Sequence, residues 1–273
     1  RVSATRARRV VAAAARGGVV GTVLLLLVSG VDGGYAHADP DALWQIVNGR
    51  CVPDEHAYQD PAPCAQVVPG SGPDQGYAVL KALEGPRQYL LIPTARIVGI
   101  ESPVLQNADA PNYFAAAWRA RSFLDEQAGG ALPRDWVSLA LNSAFARSQD
   151  QMHIHIDCLS ADVHEALAAH RAEIGPTWAP FVVPLSGRPY SAIAVPGEDL
   201  GGVNPVALLV DGLDGARADM ARRTIVVVGS VAPDGRPGFV VLAGRADPAT
   251  GDRGDGEKLQ DHNSCPVPLP AAS

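Results

Sequence analysis

The chain has 273 residues, enough for one large domain or two small ones, and 47% are hydrophobic, with 28 Gly and 23 Pro, which suits a globular protein with ample core and many turns. Lys and Arg number 22 against 29 Asp and Glu, so the net charge is −7; four of the arginines fall in the first nine residues, and the remainder is more acidic still. This balance excludes the basic footprint of non-specific nucleic-acid binding, so any phosphate the protein handles must be met by a local site.

The first 38 residues read as an export segment. A basic start, Arg1 to Arg9, is followed by an uncharged run from Gly17 to Val31 and then by Ala36-His37-Ala38, the small-residue pattern that precedes a cleavage site. The run is shorter than the roughly 20 residues that span a bilayer. It serves either as a signal cleaved after Ala38 or as a retained anchor that includes Val10 to Ala15, and residues 39–273 form the catalytic domain. Export puts Cys51, Cys64, Cys158 and Cys265 in an oxidising compartment, where an even count reads as two disulfides. Three connectivities are open. Cys51–Cys64, closing a short Pro-rich loop, with Cys158–Cys265, tying the chain end to a central strand, is favoured over a zinc site, because no Cys-x-x-Cys pair is present.

In chain order, 41–48 predicts a short amphipathic helix, and 51–75 a Pro/Gly-rich loop. Strands follow at 77–81 and 88–93, the second ended by Pro93. Residues 112–127 predict the clearest helix, with Asn112 as cap, an aromatic stripe facing the core, and Gly129-Gly130 as stop. A strand at 136–141 leads through a turn, 142–149, into a second strand. A helix at 161–173, capped by Ser160, carries His164 and His170 on its surface. Further on come a strand at 190–195, a buried segment at 206–210, a hairpin of 223–231 with 238–243, and a polar Gly/Asp loop at 247–257. The order strand–strand–helix–strand–strand occurs once well and once faintly. The fold class expected is α+β, an antiparallel meander sheet with flanking helices, with about 180–260 as a degenerate second half.

The chemistry concentrates in Gln151 to Leu159. Polar and apolar residues alternate, so His153, His155 and Asp157 share one strand face while Met152, Ile154 and Ile156 share the other. Three readings are open for that face: a zinc site with Asp157 as third ligand, nucleophilic catalysis by an imidazole, and a hydrogen-bonded structural pair. The turn before the strand favours the second, because Asn142, Ser148 and Gln149 offer neutral donors that cradle phosphate or ribose oxygens, with Arg147 adding charge. Lys81 is a candidate phosphate contact, and His262 joins the site if the Cys158–Cys265 bond draws the tail to the strand.

The succession Asn142, Ser148-Gln149, His153-x-His155 resembles the histidine-triad (HIT) superfamily of nucleotide hydrolases and transferases. With Cys51…Cys64, Gly76-Tyr77, Gly85-Pro86-x-Gln88-Tyr89, Glu101-Ser102-Pro103, Leu139-Ala140-Leu141-Asn142 and Gln260-Asp261-His262, residues 41–265 are similar to the CDP-diacylglycerol pyrophosphatase family. The resemblance implies a HIT-like fold and hydrolysis of CDP-diacylglycerol, met at the membrane surface through the N-terminal segment, to CMP and phosphatidate. It requires no metal or other cofactor. By the same carry-over His155 is the nucleophile, His153 supports geometry and proton traffic, Ser148 and Gln149 hold phosphate, and Asn142 lies near the nucleotide. Asp157 stands where a triad has its third histidine. Reading Gln151, His153 and His155 as the triad would make His153 the nucleophile but breaks the spacing to Gln149 and Asn142. The alternatives are another HIT-type nucleotidyl hydrolase or transferase, and a non-catalytic nucleotide- or lipid-binding module.

Overall fold

The computed structural model describes residues 39–72 and 75–270; the export segment expected at 1–38 lies outside them. Helix α1 (Ala42–Ile46) runs through one π-helical turn into α2 (Val52–Tyr58). Strands β1 (Gln66–Val68), β2 (Tyr77–Lys81) and β3 (Tyr89–Pro93) precede α3 (Tyr113–Ala128). Then come β4 (Val137–Leu141), β5 (Ile154–Cys158), α4 (Ala161–Ala169), β6 (Ala179–Pro180), β7 (Ser191–Pro196), α5 (Pro205–Gly212), β8 (Arg223–Val231) and β9 (Pro237–Arg245).

Two expectations need correcting. The segment 51–75 is not all loop, because the helical chain continues from the π-helical turn through Val52 to Tyr58, with Pro53 placed directly after that turn. The buried segment 206–210 is helical, begun by Pro205 behind an Asn204 side chain that accepts from the Val206 N–H. Helix α3 is capped as expected: Asn112 accepts from the Ala115 N–H, and Gly129 ends it in the left-handed conformation.

All nine strands form one antiparallel sheet in the order β1-β2-β3-β5-β4-β8-β9-β7-β6. It is not a simple meander. The connection from β3 to β4 passes through α3 over one face, which leaves room for β5 to return between them. The unit β2-β3-α3-β4-β5 and the unit β6-β7-α5-β8-β9 have the same element order and the same strand adjacency, and they meet where β4 pairs with β8.

Residues paired across an antiparallel ladder point to the same side. On one side Leu91, Leu139, Ile154, Ile156, Val227 and Val241 join α3 and α5 in the main core, with Trp118 edge-on to Phe239. The other side carries two smaller clusters. Leu80, Leu90 and Ile92 pack on the α1–α2 segment, and Val226, Val228, Val240 and Leu242 pack on α4. Between these clusters β5 presents its polar face. On β9, which holds the place of β5 in the second unit, Val240 and Leu242 fill that face instead.

Candidate active site

Alternation along β5 sets the site. Ile154 and Ile156 are fully buried against the α3 side, which turns His153, His155 and Asp157 to the opposite side. The imidazoles of His153 and His155 lie edge to face, ring centres 4.8 Å apart. They form the floor of a cleft of about 550 Å³. Lys81, Gln88, Asn142, Ser148 and Gln149 also line it, together with apolar groups of α1 and of the turn after β2. Four of the side chains expected at the site, Lys81, Asn142, Ser148 and Gln149, are therefore brought to one cavity with the histidine pair.

His153 is entirely neutral in character. Its Nδ1 lies 2.8 Å from the Gln151 carbonyl, which can only accept, so that nitrogen carries the proton. Burial, together with neighbouring His155, lowers its pKa to about 4. His155 is 7% exposed. The Glu257 carboxylate stands 2.9 Å from its Nε2, yet neither ring nitrogen makes a well-directed hydrogen bond.

The tail completes the site. Both disulfides pair as favoured from the sequence, Cys51–Cys64 and Cys158–Cys265. The second binds the chain end to the end of β5, where the Asp261 N–H also donates to the Cys158 carbonyl. His262 is thereby placed with Nδ1 2.8 Å from Asp157 Oδ2 and Nε2 3.5 Å from Glu257 Oε1. The hydrogen bond to Asp157, and then that to Glu257, raise the His262 pKa to about 10, so it is an imidazolium at neutral pH. Gln260 donates to the His155 carbonyl and to Ser138, fastening the tail beneath the strand.

Glu257 was not singled out by the sequence. It lies in the polar loop on a 3₁₀ turn, Gly256–Leu259. Asn142 Nδ2 donates to Glu257 Oε2 at 2.8 Å, and Asn142 Oδ1 accepts from the Glu257 N–H. Burial opposes its ionisation, but the close approach of the His155 imidazole and the contacts of His262 and Asn142 outweigh this and hold its pKa well below the usual carboxylate range. Gly254 at φ +67° supplies the bend that returns this loop to the sheet.

Other expected residues are engaged differently. Gln149 accepts from the Leu43 N–H and donates to the Asp39 carbonyl, so its amide ties α1 to the turn. Ser148 lines the cleft beside it. Arg147 bridges Glu101 at 2.7 Å and Asp150 at 3.2 Å, which braces the turn and accounts for the Glu101 motif. Lys81 gives two of its protons to the Ala82 and Gly85 carbonyls, and burial lowers its pKa. His164 is stacked on Trp136 at 3.9 Å and held by Asp135, so it is partly buried rather than a plain surface residue.

A zinc site on this face finds no support in the geometry. Among the described residues the one grouping of candidate ligand atoms is Asp157, Cys158 and Cys265, whose sulfurs are bonded to each other. Asp157 turns its carboxylate to His262 and to the Cys158 N–H.

Residues 38–268 match the family model described as CDP-diacylglycerol pyrophosphatase. The chain belongs to the CDP-diacylglycerol pyrophosphatase family. A family member from Yersinia pestis, the curated CDP-diacylglycerol pyrophosphatase, is 42% identical over 246 residues, which cover 90% of this chain and 92% of that protein. The match runs from α1 through the tail that carries His262.

Proposed function

We propose that this protein hydrolyses the pyrophosphate of CDP-diacylglycerol to CMP and phosphatidate, on a fold of the histidine-triad superfamily and through a cytidylyl group carried by His155. The observation that carries the reading is His155 itself. It is a buried imidazole beside a neutral His153, on the floor of a cleft, with both ring nitrogens lacking a directed bond. Family membership gives that cleft its substrate.

A neutral imidazole is a competent nucleophile towards phosphorus. A His155 nitrogen attacks the phosphorus that bears cytidine. A P–N bond forms, the P–O bond to phosphatidate breaks, and phosphatidate leaves. Water then attacks the same phosphorus, the P–N bond breaks, and CMP departs with the imidazole restored. His153, kept neutral by burial, packs on His155 and fixes its ring plane. Asn142, Ser148 and Lys81 stand in the cleft to meet the phosphoryl and nucleotide oxygens. Asp157 works at one remove. It holds His262 as a cation, and that charge offsets the charge that builds on the departing phosphate.

The lipid is met at the bilayer surface. Asp39 and Leu43, where the described chain begins, are bonded to Gln149 at the cleft. Asp39 thus lies near the cleft, and a membrane tether joined through it would bring the headgroup to the histidines. Leu83 stands fully exposed on the cleft rim and adds an apolar contact. No described helix is long and apolar enough to cross a membrane.

The test is a rapid quench of the enzyme with CDP-diacylglycerol labelled in cytidine. Label bound to the wild-type protein and absent from His155→Ala supports the scheme. Turnover without an adduct at any quench time would overturn it, and an adduct lost only in His153→Ala would move the nucleophile. Release of the full-length protein from membranes by carbonate wash would overturn the tether.

A further inference from the structure

The carboxylate of Glu257 occupies a position that the proposed reaction needs. If His155 is to bond phosphorus through Nε2, the space 2.9 Å from that nitrogen must hold the reacting group, and Glu257 Oε2 fills it. The same oxygen takes the Asn142 Nδ2 donor at 2.8 Å, and the other carboxylate oxygen faces the cationic His262. The Asn142 amide, the His155 imidazole and a cation converge on one carboxylate and make an anion site. A phosphoryl group cannot share it, because two anions a few ångströms apart in a part-buried cleft repel strongly.

We infer that Glu257 is an intramolecular stand-in for a substrate phosphoryl oxygen, closing the anion subsite of Asn142 and His155 in the free enzyme, and that a pyrophosphate or phosphate ester must displace it onto His262. The inference rests on reading the cleft as a phosphoryl-transfer site, and it names the group that resists substrate binding there.

The structure supplies both the hinge and the destination. The backbone at 257 is fixed, because its N–H is held by Asn142 Oδ1. Next to it Gly256 packs so close to Thr224 and Val226 that a Cβ would lie 2.4 Å from Thr224 Oγ1. Movement therefore belongs to the Glu257 side chain, which turns about three bonds at low cost. Its second oxygen already points to the His262 imidazolium, so the displaced carboxylate keeps a cationic partner and is not stranded. His155, with neither nitrogen in a directed bond, gains a proper partner when the substrate replaces Glu257.

Asp255 provides the control, since it lines the same cleft but makes no hydrogen bond or ion pair to His155 or Asn142. Calorimetric titration with inorganic pyrophosphate, in buffer free of divalent metal, compares Glu257→Ala, Asp255→Ala and the wild type. Vacating the subsite should tighten binding about tenfold in Glu257→Ala, as expected for a displaced charged hydrogen-bonding group. Asp255→Ala should change it much less. Equal tightening in the two variants would mean ordinary relief of negative charge and would overturn the inference. So would unchanged or weaker binding in Glu257→Ala. Glu257→Gln keeps the shape and guards against misfolding; it should fall between wild type and Glu257→Ala, and no gain in a normally folded Glu257→Gln also overturns it. Tighter pyrophosphate binding without any cytidylyl adduct on His155 would remove the proposed reaction while leaving the subsite in place.

Discussion

Asp157 Oδ2 lies 2.8 Å from His262 Nδ1, across a sequence separation of 105 residues. This pair puts an imidazolium beside the β5 histidines although the strand itself offers a carboxylate in that position. A third imidazole is thus delivered by the tail rather than by the strand.

His262→Gln and Asp157→Asn should both lower kcat, by about 10²-fold, the scale of losing one group that handles charge or a proton in the transition state. KM should move little. A cytidylyl ester with a better leaving group, such as p-nitrophenyl CMP, needs less help at the departing oxygen, so the loss should shrink with it. An equal loss on both substrates would assign the pair a purely structural part.

The pH dependence of stability follows from the two shifted histidines. His153 is depressed from 6.5 to about 4, so its contribution is present above pH 6.5 and is lost as pH falls through 4. For this fully buried group the loss is about 3 kcal/mol, at about 1.4 kcal/mol per unit. His262 is raised to about 10, so its contribution is complete below pH 6.5 and fades as pH rises through 10. Thermal melts should fall off on both sides. His153→Gln should flatten the acid limb, and His262→Gln the alkaline one.

The Cys158–Cys265 bond closes a span of 107 residues and anchors the segment with Gln260 and His262. Replacing both cysteines by serine should cost about 2–5 kcal/mol and lower kcat together with stability. Serine at Cys51 and Cys64, which close only 13 residues next to α2, should cost stability while sparing the pH profile. Guanidinium melts and pH–rate profiles of the two double variants check both statements.

Gly85→Ala should mimic the loss of His262. Gly85 adopts φ +67°, which costs other residues about 1–2 kcal/mol. A Cβ there would also lie 2.3 Å from the His262 carbonyl oxygen. The tail must shift away from the turn between β2 and β3. A kcat loss that matches His262→Gln is expected, and full activity in Gly85→Ala would show that the tail need not be held there.

Much of this site was legible locally. The two-residue period of a strand is fixed by backbone geometry, so alternation alone placed His153, His155 and Asp157 opposite Ile154 and Ile156. Asn112 and Gly129 marked the ends of α3 because capping is a short-range hydrogen-bond matter. The start of α2 was lost for the converse reason: Pro and Gly nearby suggest a loop, and Pro53 is instead accommodated next to a π-helical turn.

What the sequence by itself determined was therefore the histidine face, the parity of the cysteines and the turn that precedes β5. The tertiary structure alone decided that Glu257 meets His155, that His262 meets Asp157, and that Gln149 serves α1 while Arg147 serves Glu101. Those pairings join residues far apart in the chain. A glutamate in a Gly/Asp-rich loop has no periodicity to distinguish it from a solvated side chain. Only the closed sheet, with β5 between β3 and β4 and the tail bonded to its end, brings that carboxylate to the imidazole.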